Sequence, residues 1–199
     1  MTVKERESNI ELARIVAMAM IVIWHFIVHG IFHEGMPVTY AVSGPLPSRS
    51  LIPLLISFLV IPGSDIFVMI SGYFRIKLKW KSVISLWLMC AFYNLVNVFV
   101  NGPVNASTIL HAFIISSCGH WFFKAYFWLL LASPILNKAI DNFTSRELRI
   151  TVIIGFVLTC ISGWYFGNDN VNGYNALNFF FLYILGAFID KENIRERIR

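Results

Sequence analysis

Charge is scarce in this chain. Only 14% of its 199 residues are Asp, Glu, Lys or Arg, against about 25% in an ordinary soluble domain. Hydrophobic residues make up 57%, aromatic residues 16%, and the mean hydropathy is +0.69. A self-contained water-soluble core is excluded by that balance, and a lipid-embedded one is indicated. Cysteine is nearly absent as well. Cys90, Cys118 and Cys160 lie far apart, each in or beside an apolar run. No CxxC pair and no Cys/His ligand spacing occurs, so neither a zinc site nor a disulfide framework is expected, and the three are expected to pack. Low-complexity segments and internal repeats are missing too. The net charge of +5 would suit nucleic acid only as a basic face on a soluble domain. Here the cations sit in short clusters between apolar runs, so nucleic acid is not an expected partner and the lipid bilayer is.

What is present is a series of long apolar runs. Six approach the ~20 residues needed to cross a bilayer: roughly Ile10–Phe32, Ile52–Phe74, Ser82–Val100, Trp121–Ala139, Ile150–Phe166 and Tyr174–Ile189. The expected fold class is therefore all-α, a polytopic helical bundle of about six transmembrane helices. The first run shows no small-residue cleavage pattern and is expected to be a retained span. The second is interrupted by "IPGSD", where Pro62 and Gly63 predict a kink or break and Asp65 falls inside the membrane or at a cavity mouth. The stretch from Asn105 to His120 is too short and polar to cross, and predicts a surface or re-entrant helix. Asn105-Ala-Ser107 matches a glycosylation sequon, a weak signal by itself. Cationic residues set the orientation. Lys4, Arg6 and Arg14, then Arg75, Lys77, Lys79 and Lys81, then Lys138, Arg146 and Arg149, then Lys191, Arg195, Arg197 and Arg199 all fall on one side. Arg49 alone falls on the other, and Lys124 lies just inside the fourth span. This asymmetry predicts that both termini are cytoplasmic.

The first span carries residues that lipid does not tolerate. Glu11, Arg14, His25 and His29 each cost free energy in hydrocarbon unless they meet water, a partner or a substrate. Eleven steps separate Arg14 from His25, which returns to within about 20° of the same helix face some 16 Å along it. Glu11 lies one turn before Arg14 and His29 one turn after His25, so the four form one stripe, expected to face the protein interior or a wet cavity. His25, well past the bilayer midpoint, is expected to be buried. His25, His29 and His33 follow an i, i+4, i+8 spacing in which two histidines could share a metal. Only Glu34 is placed to extend that set, and no metal site is expected.

Four stretches together carry a resemblance. "SNIELARIVAMAMIVIWHF", with its Arg-x10-His spacing, "SDIFVMISGYF", "HWFFKAYFWLLLASPILN" and "FFFLYILGAFID" occur in the order of corresponding patterns in the membrane-bound acyltransferase 3 family, which the chain resembles over nearly all of its length as a single domain spanning residues 1–199. Members include O-acetyltransferases that modify surface polysaccharides and other extracytoplasmic glycans. They carry more spans than these six, so the resemblance implies the N-terminal part of the family fold, with a missing C-terminal half as a partner.

The resemblance implies transfer of an acyl group, in the first place acetyl, from cytoplasmic acetyl-CoA or another acyl-CoA to a hydroxyl of a sugar or surface glycan. No bound cofactor is implied, because the acyl-CoA is a substrate. Arg14 and His25 are the expected catalytic residues, His25 as general base. Imidazole can accept a hydroxyl proton near neutral pH; direct transfer and an acyl-histidine intermediate both remain compatible. Arg75, Lys77 and Lys79 in "RIKLKWK" would take the CoA phosphates, although the positive-inside signal alone also accounts for them. Glu11 would orient Arg14, and Asp65 would orient His25 or touch the acceptor. Ser71 and Gly72 support the second span, with small residues also serving helix packing. Trp121 and Tyr126 suit acceptor contacts and the interfacial aromatic belt equally. Asn94 and Asn97 are candidates for interhelical hydrogen bonding. A transporter or channel whose polar pathway is lined by Arg14, Asp65 and His25 is the alternative function, and an inactive membrane fragment is another. The bacterial inner membrane is the location that the resemblance implies.

Overall fold

The computed structural model describes residues 8–31, 48–117, 119–162, 173 and 175–192. Helices account for 87% of them, and no strand occurs among the described residues. His33, Glu34, Cys118 and the C-terminal Arg195, Arg197 and Arg199 lie outside them.

Helices stand at all six expected places, and three stretches are long and apolar enough to cross a bilayer: Ser8–Ile31, Leu51–Tyr73 and Trp80–Asn101. The first is helix α1 (Ser8–His25), continued by a π-helical turn, Phe26–Ile31. The second is α2 (Ser48–Val60) and α3 (Gly63–Tyr73), separated by a turn at Ile61 and Pro62. Proline has no N–H to continue the helical ladder and its ring clashes with the preceding turn, so the expected break is where the chain puts it. The third is α4 (Trp80–Asn101). A short α5 (Ala106–Ala112) and a 3₁₀ turn (Ile115–Ser117) follow, as expected for a segment too polar to cross. Asn105 is the N-cap of α5. Its side chain accepts from the Thr108 amide at 2.9 Å while the Thr108 hydroxyl accepts from the Asn105 amide at 3.1 Å.

Helix α6 (Trp121–Asn142) carries Pro134 without breaking. Pro134 cannot satisfy the Leu130 carbonyl four residues back, and the Ser133 hydroxyl donates to that carbonyl instead, at 2.8 Å; freed carbonyls inside a membrane helix need such a donor. Helix α7 (Ser145–Phe156) runs on through a second π turn (Val157–Ser162). It begins five residues before the expected Ile150, because Thr144 and Glu147 form a capping box that satisfies the first-turn amides. Helix α8 (Ala176–Lys191) is the last.

The chain divides into two compact units, at residues 1–70 and 71–199. In the first, α1 and its π turn pack on α2. A Cβ on Gly63 would lie 2.8 Å from the Met20 Cβ and 3.0 Å from the Ala17 carbonyl oxygen, so the first turn of α3 approaches α1 as closely as only glycine permits. The second unit is built around α8, which packs on both α6 and α7 and buries Phe179, Phe181, Leu182, Tyr183, Gly186 and Ala187. Its core residues Leu129, Ile140, Leu148, Phe179 and Tyr183 are fully buried. Asn94 ties α4 to α5 through the Ala112 carbonyl at 3.1 Å, the interhelical role expected of it, whereas Asn97 is bonded within its own helix, to Asn101. Cys90 is buried as expected and Cys160 is exposed. Outward-facing Ile84, Leu88, Phe92 and Phe99 on α4 suit a helix whose solvent is lipid.

Candidate active site

In the first unit the expected stripe is present but not interior. The Arg14 guanidinium donates to the Glu11 carboxylate at 3.2 Å, and both side chains are partly covered. His25 and His29 are exposed, contrary to the expected burial. Helical geometry supplies the reason. The buried ridge of α1 and its π turn runs through Ala17 to Val28. At 100° per residue, the Arg14–His25 stripe lies roughly 60–80° around the helix from that ridge. A stripe so placed must still meet water, substrate or protein rather than acyl chains.

His25 is held in a defined state. Its Nδ1 lies 2.8 Å from the Ile21 carbonyl oxygen. A carbonyl can only accept, so Nδ1 donates, and the lone pair of the neutral ring is left on Nε2. The ring sits edge-on to Trp24 at 5.2 Å and tilted against His29 at 5.7 Å, and the backbone winds as a π-helix from the next residue. Asp65, in the first turn of α3, forms no hydrogen bond with His25 among the described residues.

In the second unit four of the expected site residues, Arg75, Lys77, Lys79 and Tyr126, line one cavity of about 700 Å³, whereas Ser71, Gly72 and Trp121 do not. Arg75, Lys77, Lys79 and Lys81 line it, followed by Ser82 and Ser85, and then by the apolar Leu86, Met89 and Leu130. Tyr126 also lines it, with its hydroxyl 3.3 Å from that of Ser71. Tyr126 thus lies with the basic residues. Trp121 packs edge-on to Phe179 at 5.8 Å, as a core residue does. Along α6, Tyr126 and Asn137 are eleven residues apart, about 16 Å of helix at 1.5 Å per residue. The cavity lining thus combines four cationic side chains with the hydroxyls of Ser82, Ser85 and Tyr126 and with apolar side chains.

The cationic part of the lining is shaped by how α3 ends. The Ile76 amide donates to the Ser71 carbonyl at 3.3 Å and the Arg75 amide to the Gly72 carbonyl at 3.1 Å. Arg75 has φ +53°. This is the Schellman termination, in which the left-handed position is ordinarily glycine. Here that position is Arg75, whose guanidinium pairs with Asp141 of α6. The next carbonyl, of Ile76, accepts from Asn137 Nδ2 at 2.9 Å and lies 3.5 Å from the Tyr183 hydroxyl, which donates to Asn137 Oδ1 at 2.7 Å. Gly72 permits this convergence, since a Cβ there would lie 2.0 Å from the Tyr183 carbonyl oxygen. Asn137 and Tyr183 lie in two of the stretches that carry the resemblance, but neither they nor Asp141 is singled out by sequence, because a polar residue in an apolar span does not name its partner.

Among the described residues no three His, Cys, Asp or Glu side chains are grouped as a metal site; His33 and Glu34 lie outside them. The chain matches no curated protein and no solved structure. A family model described as an acyltransferase domain matches residues 7–199. That match covers both units, the Arg-x10-His stripe and the basic cavity alike, and the chain belongs to the acyltransferase 3 family, as a membrane acyltransferase.

Proposed function

We propose that the protein is an O-acyltransferase of the bacterial inner membrane, both termini cytoplasmic, that transfers an acyl group, in the first place acetyl, from cytoplasmic acyl-CoA to a hydroxyl of a sugar or surface glycan. The observation that carries this is the cavity of the second unit, whose lining combines Arg75, Lys77, Lys79 and Lys81 with the apolar Leu86, Met89 and Leu130. Acyl-CoA has the matching chemistry, an anionic phosphate head on a long, less polar arm. Lysine and arginine take phosphate through charge-assisted hydrogen bonds, and Lys77 and Lys79 are exposed for it.

In the chemical step the acceptor hydroxyl loses its proton to His25 Nε2 as its oxygen attacks the thioester carbonyl. The C–S bond then breaks, and the imidazolium returns the proton to the departing CoA sulfur. The Ile21 carbonyl keeps Nε2 available by holding the proton on Nδ1. Arg14, steadied by Glu11, supplies positive charge on the same helix face. Loss of a positioned general base costs about 10²–10⁴-fold in rate.

The test is transfer of labelled acetyl from acetyl-CoA to cell-surface glycan, with His25→Ala and His25→Gln beside the parent. Label in the parent and its loss in folded variants supports the proposal; equal label in all three overturns the role of His25. The turn at Ile61 and Pro62 also favours a second function, since broken helices are common in transporters. Solute flux without consumption of acetyl-CoA would establish that function instead.

A further inference from the structure

The basic loop is not left to find its own shape. Residues 74–79 leave α3 through a turn that places Arg75 in the left-handed region, where a non-glycine residue carries a cost of roughly 1 kcal/mol or more. The carbonyl of the following residue, Ile76, is approached by side chains from two other helices, Asn137 of α6 and Tyr183 of α8. These two are joined to each other by the Tyr183 hydroxyl at 2.7 Å. Tyr183 is fully buried, and Gly72 presses against its backbone. Neither Asn137 nor Tyr183 lines the cavity. Their polar atoms are spent on the backbone of the loop that carries Arg75, Lys77 and Lys79.

We infer that Asn137 and Tyr183 are positioning residues for the anionic donor: by fixing the Ile76 carbonyl they hold the cationic loop in its binding shape, and so govern donor affinity rather than the chemical step. The inference rests on the proposed assignment of the cavity to acyl-CoA. Its physical basis is preorganisation. Three long cationic side chains on a loose loop would each lose freedom on binding, whereas a fixed backbone leaves only rotamers to order. Asn137 acts directly on the loop, through its Nδ2 group. Tyr183 acts mainly through Asn137, orienting the amide so that its N–H faces Ile76. The two substitutions should therefore be coupled, not additive.

The experiment uses the full chain in nanodiscs, with CoA as the binding probe and labelled acetyl-CoA for transfer. Tyr183→Phe keeps the buried ring and removes only the hydroxyl; Asn137→Leu keeps the branching of the side chain and removes both hydrogen bonds. Expected are CoA Kd values raised ~3-fold for Tyr183→Phe and ~10-fold for Asn137→Leu, from the usual worth of one or two hydrogen bonds. The double variant should be no weaker than Asn137→Leu alone. The apparent KM for acetyl-CoA should follow Kd, while kcat stays within about twofold, since no reacting atom is touched. Lower thermal stability with unchanged Kd and KM in both variants would overturn the inference and make the pair merely structural. A fall in kcat at constant KM would overturn it also. Absence of CoA binding by the parent would overturn the donor assignment itself, and the inference with it, which separates the two failures.

Discussion

Gly72→Ala tests the contact on which the second unit turns. Its Cβ would lie 2.0 Å from the Tyr183 carbonyl oxygen, 2.7 Å from the carbonyl carbon and 2.8 Å from Cα. All three atoms are backbone, so no rotamer change gives relief. Ordinary contact begins at 3.4 Å, and the two helices would have to part by about 1.4 Å, the difference between the two distances. Overpacking of this kind costs ~1–3 kcal/mol, against which alanine's better helix propensity returns at most about 1 kcal/mol. A net loss of ~1–2 kcal/mol is expected. The displacement would also carry the Tyr183 hydroxyl beyond its present 3.5 Å from the Ile76 carbonyl, so CoA affinity should fall with stability. The assay is reversible unfolding in mixed micelles, with CoA binding measured on the folded variant. Gly155→Ala is the contrast. Its Cβ would meet the Phe181 ring at 2.5 Å, a side chain that can turn, so its loss should be smaller and CoA binding unaffected. A Gly72→Ala protein within ~0.5 kcal/mol of the parent, the scatter of surface substitutions, with unchanged CoA affinity, would refute the argument that this approach is tight.

Arg75→Gly should relieve the left-handed position by up to about 1 kcal/mol, partly offset by the lost pairing with Asp141, while CoA affinity falls; a variant binding CoA as tightly as the parent would remove Arg75 from the donor site. Lys191 donates to the Ile140 and Phe143 carbonyls at the end of α6, at 2.8 and 2.6 Å, so Lys191→Met should cost roughly 2 kcal/mol in the same unfolding assay. Glu147 has its carboxyl held below its ordinary value of 4.5, first by the Thr144 amide and then by the Thr144 hydroxyl. Its contribution is therefore present above about pH 4.5 and lost as pH falls through the depressed value. Protection of the first amides of α7, measured against their intrinsic exchange rates, should fall over that acid range in the parent and lose this pH dependence in Glu147→Gln.

The elements were legible because membrane helices announce themselves by length and hydropathy, and because Pro62 and the cationic clusters punctuate them. Helix boundaries were less so. The start of α7 five residues early follows from Thr144 and Glu147, a capping pair readable in "TSRE" but overlooked beside the stronger apolar signal. The polar stripe of α1 was legible as spacing, yet its exposure was not. Periodicity says which residues share a face; the face that packs depends on the neighbour, and here the small Ala17 rather than the polar stripe meets Gly63. Tyr126 illustrates the same gap in the second unit. Its place along its span suggested an outer-end role, but pairing with Ser71 and lining of the basic cavity come from contacts 55 residues apart in sequence.

Arg75 shows most directly how structure and chemistry are joined here. Glycine at that position would end α3 at lower cost, and the chain carries 12 glycines elsewhere. An arginine held at φ +53° is therefore a conformational expense set against something its side chain does. Pairing with Asp141 is a weak return, because the carboxylate side chain is 68% exposed and exposed ion pairs contribute little net stability. A phosphate group entering the cavity mouth would meet the same guanidinium together with three lysines, in a setting where charge-assisted bonds are stronger. Strain of this kind collects where a ligand is held. On that argument Asp141 would occupy Arg75 until an anion bound, and the turn, the clamp from Asn137 and Tyr183, and the close contact at Gly72 would be parts of one device for presenting positive charge to it.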